Sequence, residues 1–204
     1  MEVTALLTRL GHDILTIDLA AFWFVNSHHT PLLDPVFLAI TQLGNGWVAI
    51  PVVLALVCWT HRRRAAFPVA ICGLAFALAG LSNNTLKRFI EWRRPVEYFV
   101  RKDPTGELAR RVHVVGEELG GRTFPSGHTN TAFASAVLLV GLLGRRFWPA
   151  LFVAASVGWS RLYLGVHFPS DVITGAVLGS GFAWAVMAVM RKLRRPRPAS
   201  AEQG

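Results

Sequence analysis

Long apolar runs alternate along the chain with short clusters of charge, and six of these runs have the length of membrane helices. The first, residues 4–25, is interrupted by Arg9, Asp13 and Asp18, which makes it too polar to stand as a span on composition alone. It also lacks the charged start and unbroken apolar stretch of a signal peptide. The second covers residues 32–59 with a polar break at 42–46. At 1.5 Å per residue it reaches about 42 Å, enough to cross a ~30 Å hydrocarbon core even when kinked. The third, 65–86, is apolar until Ser82, Asn83 and Asn84. The fourth, 128–143, opens on hydroxyls; the fifth, 147–166, carries Ser160 and Arg161 near its end; the sixth, 172–190, is apolar throughout. A polar loop, 88–124, separates the third and fourth. Barrel strands are short and alternate in polarity, so these runs predict helices.

Composition sharpens this reading. Hydrophobic residues make up 52% of the 204 positions and charged residues 16%, against ~25% charged in soluble domains. Mean hydropathy is +0.41. A soluble chain of this size and an intrinsically disordered one are both excluded. The expected fold is all-α: a polytopic membrane bundle of five transmembrane helices plus a sixth, N-terminal one. It forms a single domain over residues 1–190, followed by a basic tail at 191–204. Cys58 and Cys72 lie inside apolar runs and read as small buried hydrophobes rather than a disulfide pair.

The net charge of +9 suggests a membrane face more than nucleic acid in so apolar a chain. Arg62–Arg64, Arg145 and Arg146, and Arg191, Lys192, Arg194, Arg195 and Arg197 follow the second, fourth and sixth runs, with no acid among them until Glu202. These ends belong in the cytoplasm by the positive-inside rule. The 88–124 loop then faces outward, and it holds Glu91, Glu97, Asp103, Glu107, Glu117 and Glu118.

On this topology the unusual polar residues fall at one depth. Lys87 and Arg94 follow the outer end of the third run, and Ser126, Gly127 and His128 open the fourth. Ser160, Arg161 and His167 close the fifth, and Asp171 opens the sixth. Ionisable groups at membrane depth are costly and mark functional sites by default. Lys87, Arg94 and Arg161 suit a multiply charged anion such as phosphate. Pro125-Ser126-Gly127-His128 reads as a helix start, with Ser126 as N-cap and free N–H groups directed at that anion. Two histidines allow covalent catalysis, one attacking phosphorus and the other protonating the leaving oxygen. Asp171, four residues after His167, can hold one ring nitrogen and leave the other free. His12, His28, His29, His61 and His113 show no such convergence, although His113 shares the outer loop.

These residues resemble the type 2 phosphatidic acid phosphatase superfamily, which also includes soluble acid phosphatases and vanadium haloperoxidases. Its K-x6-R-P part reads Lys87 to Arg94-Pro95, its P-S-G-H part Pro125-Ser126-Gly127-His128, and its S-R-x5-H-x3-D part Ser160-Arg161 to His167 to Asp171. All three match without departure, in order. The resemblance implies a helical membrane core, a phosphohistidine on His167, His128 as general acid and Asp171 orienting His167. It implies phosphate binding by Lys87, Arg94, Ser126, Gly127 and Arg161, with no metal or other cofactor.

The resulting expectation is a lipid phosphate phosphatase in a bacterial inner membrane, its site facing the periplasm or exterior and its substrate's tail in the bilayer. Undecaprenyl diphosphate or a similar isoprenoid diphosphate is preferred over phosphatidylglycerophosphate, phosphatidic acid and lipid A phosphates. A lipid phosphotransferase would use the same site. A phosphate-lipid transporter would gather cations too, but has no need of His128, His167 and Asp171 together. No nucleic-acid partner is expected.

Overall fold

The computed structural model describes residues 2–116 and 121–193. They form α1 (Glu2–Asn26), α2 (Asp34–Gln42), α3 (Gly46–His61), α4 (Ala66–Phe89), α5 (Pro95–Lys102), α6 (Glu107–Arg110), α7 (Gly127–Leu143), α8 (Pro149–Tyr163) and α9 (Pro169–Leu193). Among the described residues there is no strand, only an isolated bridge between Arg93 and Arg122. Glu117 and Glu118 of the loop, and Arg194, Arg195, Arg197 and Glu202 of the tail, lie outside the described residues.

Local chemistry starts and stops these helices. Asn45 caps α3 by accepting from the Trp47 N–H at 3.0 Å, and Ser126 caps α7. Prolines open α5, α8 and α9, where a missing N–H costs nothing. Gly144, at φ +102°, ends α7.

Helix α7 is the hub and packs against α9, α8, α3 and α4. It runs parallel to α9. The Ser126 N–H donates to the Asp171 carbonyl at 3.0 Å at one end, and Arg191 donates to the Gly141 carbonyl at the other. Two glycines, one turn apart, permit this approach. A Cβ on Gly175 would stand 2.5 Å from the Ser126 carbonyl oxygen, and one on Gly179 2.1 Å from that of Asn130. Small residues one turn apart allow close backbone approach where lipid provides no hydrophobic drive. Below this seam Val53, Val57, Ile71, Cys72, Leu138 and Val186 form the main apolar core.

Among the described residues two helices, α4 and α9, are long and apolar enough to cross a membrane on their own. The α2–α3 pair passes as a third if counted together, bent by 55° at the expected break. Helix α7 has 17 residues and α8 has 15, which makes them about 25 and 22 Å long, short of a ~30 Å core. The count of six spans therefore exceeds what length and composition support.

The first run is one continuous helix, and its Asp18 is buried, accepting from both the N–H and the hydroxyl of Ser170. Two expectations change. The outer loop contains α5 and α6, anchored by Phe99 among Phe22, Trp23 and Phe168. The fifth helix ends at Tyr163, because the chain turns at Gly165, φ +71°. Cys58 is exposed and Cys72 buried, both unpaired.

The α7–α9 seam yields a stability prediction. Gly179→Ala should lower stability by about 1–3 kcal/mol through overpacking, read as a drop in the thermal midpoint in detergent. Gly181→Ala on the same helix, where a Cβ meets nothing within 4 Å, should leave it unchanged.

Candidate active site

Four helix ends meet above the α7–α9 seam. Helices α7 and α9 present N-termini, while α4 and α8 arrive by their C-termini. The dipole ends that favour anions therefore come from α7 and α9. Lys87 and Arg161 sit in the last turns of α4 and α8, where a cation offsets the negative dipole end. Arg94 precedes the first turn of α5. Lys87 and Arg94 lie within electrostatic reach of His128, His167 and Asp171, and Arg161 within reach of both histidines. The Ser126 N–H bond to the Asp171 carbonyl sets Ser126 and Gly127 beside these six, so the eight sequence-predicted residues come to one place.

Arg161 is buried and Lys87 and Arg94 are half-buried. Arg161 is 4% exposed; one of its amino groups donates to the Thr41 hydroxyl at 2.7 Å, and its Nε has no partner. Arg94 donates to the Val166 carbonyl at 3.1 Å and also keeps an unpartnered Nε. Among the described residues no carboxylate pairs with Lys87, Arg94 or Arg161. Cations drawn out of water in this way call for an anion from outside the chain.

In the cluster's carboxylate, Asp171, Oδ2 is committed elsewhere and Oδ1 has no partner. Asp171 is fully buried, and its Oδ2 accepts from the Phe168 N–H at 2.9 Å and the Thr123 hydroxyl at 2.6 Å. His167 Nδ1 lies 3.2 Å from the same oxygen but only 2.7 Å from Thr123 Oγ1. Since the Thr123 hydroxyl donates to Asp171, it accepts from Nδ1–H. The ring is therefore held through a histidine–threonine–aspartate chain as well as directly, and Nε2 is left free. His167 lies in the connection outside the helices. Burial, reinforced by Arg161, Arg94 and Lys87, pushes its imidazole well below the ordinary histidine range, so it is neutral near pH 7.

Ser126 is buried, and its Oγ accepts from the N–H and the hydroxyl of Thr129, as an N-cap should. Ser160 spends its hydroxyl on the Val157 carbonyl at 2.7 Å. A Cβ on Gly127 would make only ordinary contact, 3.6 Å from Asn83 Nδ2. Packing alone does not demand a glycine there, and its bare backbone is open to a ligand. His113 is structural: its Nε2 meets Asp34 Oδ1 at 3.0 Å, and its ring stacks on His29. Among the described residues no group of three His, Cys, Asp or Glu is arranged to hold a metal.

A family model described as the PAP2 superfamily matches residues 68–195. The chain belongs to the PAP2 superfamily. This PAP2 chain is 29% identical over 187 residues to a lipid A 4'-phosphatase of Bacteroides thetaiotaomicron, covering 87% of this chain and 78% of the relative. It is 29% identical over 156 residues to an undecaprenyl-diphosphatase of Bacillus subtilis, covering 74% of this chain and 72% of the relative. Among solved structures it is similar to a PAP2-type phosphatidylglycerolphosphate phosphatase from Bacillus subtilis, with a TM-score of 0.74 and 27% identity, covering 91% of this chain and 90% of that one.

Thr123 is the residue of this PAP2 site that sequence reasoning missed. It stands just outside the P-S-G-H motif, and its partners are 44 and 48 residues away. Thr123→Val keeps the shape and removes the hydroxyl. It should lower kcat about 10–100-fold, the worth of one hydrogen bond to a charged group, with KM little changed and Thr123→Ser restoring most of the rate. Steady-state kinetics on a lipid phosphate would check this. A raised KM at constant kcat would assign Thr123 to binding instead.

Proposed function

We propose that the chain is a phosphatase of membrane lipids that works through a phosphohistidine. Three cations without a carboxylate partner, Arg161 buried and Lys87 and Arg94 half-buried, beside a histidine held with one nitrogen free, carry this reading. Lys87, Arg94, Arg161 and the N-terminus of α7 at Ser126 and Gly127 hold the phosphate oxygens. Nε2 of His167 attacks phosphorus as the bond to the leaving oxygen breaks, and His128 gives that oxygen its proton. Water then attacks the phosphohistidine and returns a proton to His128. Orthophosphate leaves, and His167 is restored. Asp171 and Thr123 hold the imidazole and stabilise the charge it gains during attack. Because the fold is helical and apolar, the substrate's tail stays in the bilayer. The named relatives act on a lipid A phosphate, an undecaprenyl diphosphate and a phosphatidylglycerolphosphate, and both phosphomonoesters and diphosphates suit this phosphate site.

The two histidines should separate by leaving group. His128→Ala should keep measurable activity on p-nitrophenyl phosphate, whose leaving group needs little protonation. On an alkyl phosphate it should fall ~10²–10⁴-fold. His167→Ala should be inactive on both and form no acid-labile phosphoenzyme. Equal losses for His128→Ala on both substrates would reject its role as acid.

Residues 1–190 act as one membrane domain of a bacterial inner membrane, with the site at the outer leaflet. The acid-free clusters Arg62–Arg64, Arg145 and Arg146 support this orientation through the positive-inside rule. In intact cells a cysteine replacing exposed Arg110 of α6 should react with an impermeant maleimide. Labelling only after the inner membrane is permeabilised would reverse the topology.

A further inference from the structure

A cavity of about 230 Å³ lies beside His128, between α3, α4 and the first turns of α7. Its wall includes His128, Asn83, Asn84, Asn130 and Thr131, with Phe76 and four glycines supplying apolar or bare surface. Among the described residues no charged side chain lines it apart from the titratable ring of His128, and Lys87, Arg94 and Arg161 are not in its wall. The site therefore has two sides: a cationic one for the transferred phosphate and an amide-lined one beyond His128.

We propose that this amide-lined cavity is the leaving-group subsite and that it selects a hydroxyl-bearing leaving alcohol, a glycerol or sugar unit, over the departing phosphate of a diphosphate. The inference rests on the phosphatase reading above. If His128 protonates the leaving oxygen, the atoms attached to that oxygen occupy the space beside His128.

One unpartnered group of a wall residue, with the amide beside it, specifies that chemistry. Asn130 is 2% exposed; its amide nitrogen donates to the Ala79 carbonyl at 3.0 Å, and its Oδ1 has no partner. A buried acceptor is satisfied only by a donor. A glycerol or sugar hydroxyl supplies one, whereas an ionised phosphate supplies acceptors. Asn83 is buried too. Its Oδ1 lies 3.4 Å from the Asn130 amide nitrogen, and its Nδ2 stands beside Gly127. The pair offers both a donor and an acceptor, as hydroxyl recognition requires. The departing phosphate of a diphosphate would instead enter a space with no cation in its wall, at the desolvation cost of an unpaired charge. The preference for isoprenoid diphosphates drawn from the sequence thus gives way to polyol phosphomonoesters.

The test compares kcat/KM for phosphatidylglycerol phosphate, undecaprenyl diphosphate and dodecyl phosphate, the last having no hydroxyl on its leaving alcohol. Wild type should favour the glycerol headgroup at least ~10-fold over each of the others, about the worth of one or two hydrogen bonds. Asn130→Leu should reduce the ratio of glycerol headgroup to dodecyl phosphate ~10-fold. Because Asn130 also bridges α7 to α4, a second variant on an exposed position guards against misfolding. Asn84→Lys, which brings a cation to the cavity, should raise activity on undecaprenyl diphosphate relative to the glycerol headgroup. Wild type cleaving undecaprenyl diphosphate as well as or better than the glycerol headgroup would overturn the proposal. So would Asn130→Leu lowering both monoesters equally, or an unchanged ratio in Asn84→Lys. Release of phosphate from none of the three would overturn the phosphatase reading itself.

Discussion

Positive charge drawn out of water without a countercharge is expensive, and this chain gathers three cations, one buried and two half-buried, at the junction of its helices. Arg161 and Arg94 keep unpartnered Nε groups, and the carboxylate within reach is already bound to Thr123, His167 and the Phe168 N–H. Much of the surrounding architecture follows from that arrangement. Cations close α4 and α8, where the helix dipoles welcome them, and α7 and α9 turn N-termini toward the same point. Helices of only 15 and 17 residues bring the junction below the full thickness of a bilayer. The resulting cluster is tolerable because the occupant it calls for carries the missing negative charge.

An aromatic layer beside this junction joins α1 to the outer loop. Phe22, Tyr98 and Phe99 pack around Phe168, the residue that follows His167, and Trp23 packs on Phe22 and Phe99. Asn26 ties the end of α1 to the same layer, donating to the His113 and Tyr163 carbonyls and accepting from the His113 N–H. Buried amides with all their bonds made fix one arrangement more sharply than apolar contact does. His167 is thus gripped from its ring side by Thr123 and Asp171, and from its backbone side by an aromatic layer.

What the sequence made legible was mostly local. Ser126 is an N-cap in the structure because capping depends on a few neighbouring residues, and the polar break after Gln42 ends a helix for the same reason. The motif residues came together because each sits at a helix end, and the hydrophobic runs reveal those ends. Features set by distant partners were not legible. Asp18 made the first run too polar to stand as a span on composition, and its partner Ser170, 152 residues later, was not visible from the sequence. Helices α5 and α6 are too short to announce themselves by periodicity, and they persist through tertiary contacts at Phe99 and Val112. Thr123 carries no motif of its own, and its importance lies wholly in residues the fold brings to it. Asn83 and Asn130 read as the polar fringe of apolar runs until they proved to share a cavity wall.

The bond between the Ser126 N–H and the Asp171 carbonyl joins the two halves of the chemistry through main chain alone. One helix carries His128 on its first turn and the other carries the partner of His167. Main-chain groups are the same whatever side chain is attached, so ordinary substitution at either position leaves this tether in place. Divergence can remodel the loop, the lipid-facing surface and the cavity wall while the spacing between the two helix starts stays constant. The positions where sequence change does reach that spacing are Gly175 and Gly179, whose missing side chains let the backbones meet. Gly175 and Gly179 thus constrain a lineage exploring new lipids on this scaffold as firmly as the site residues do, although they contribute no chemistry at all.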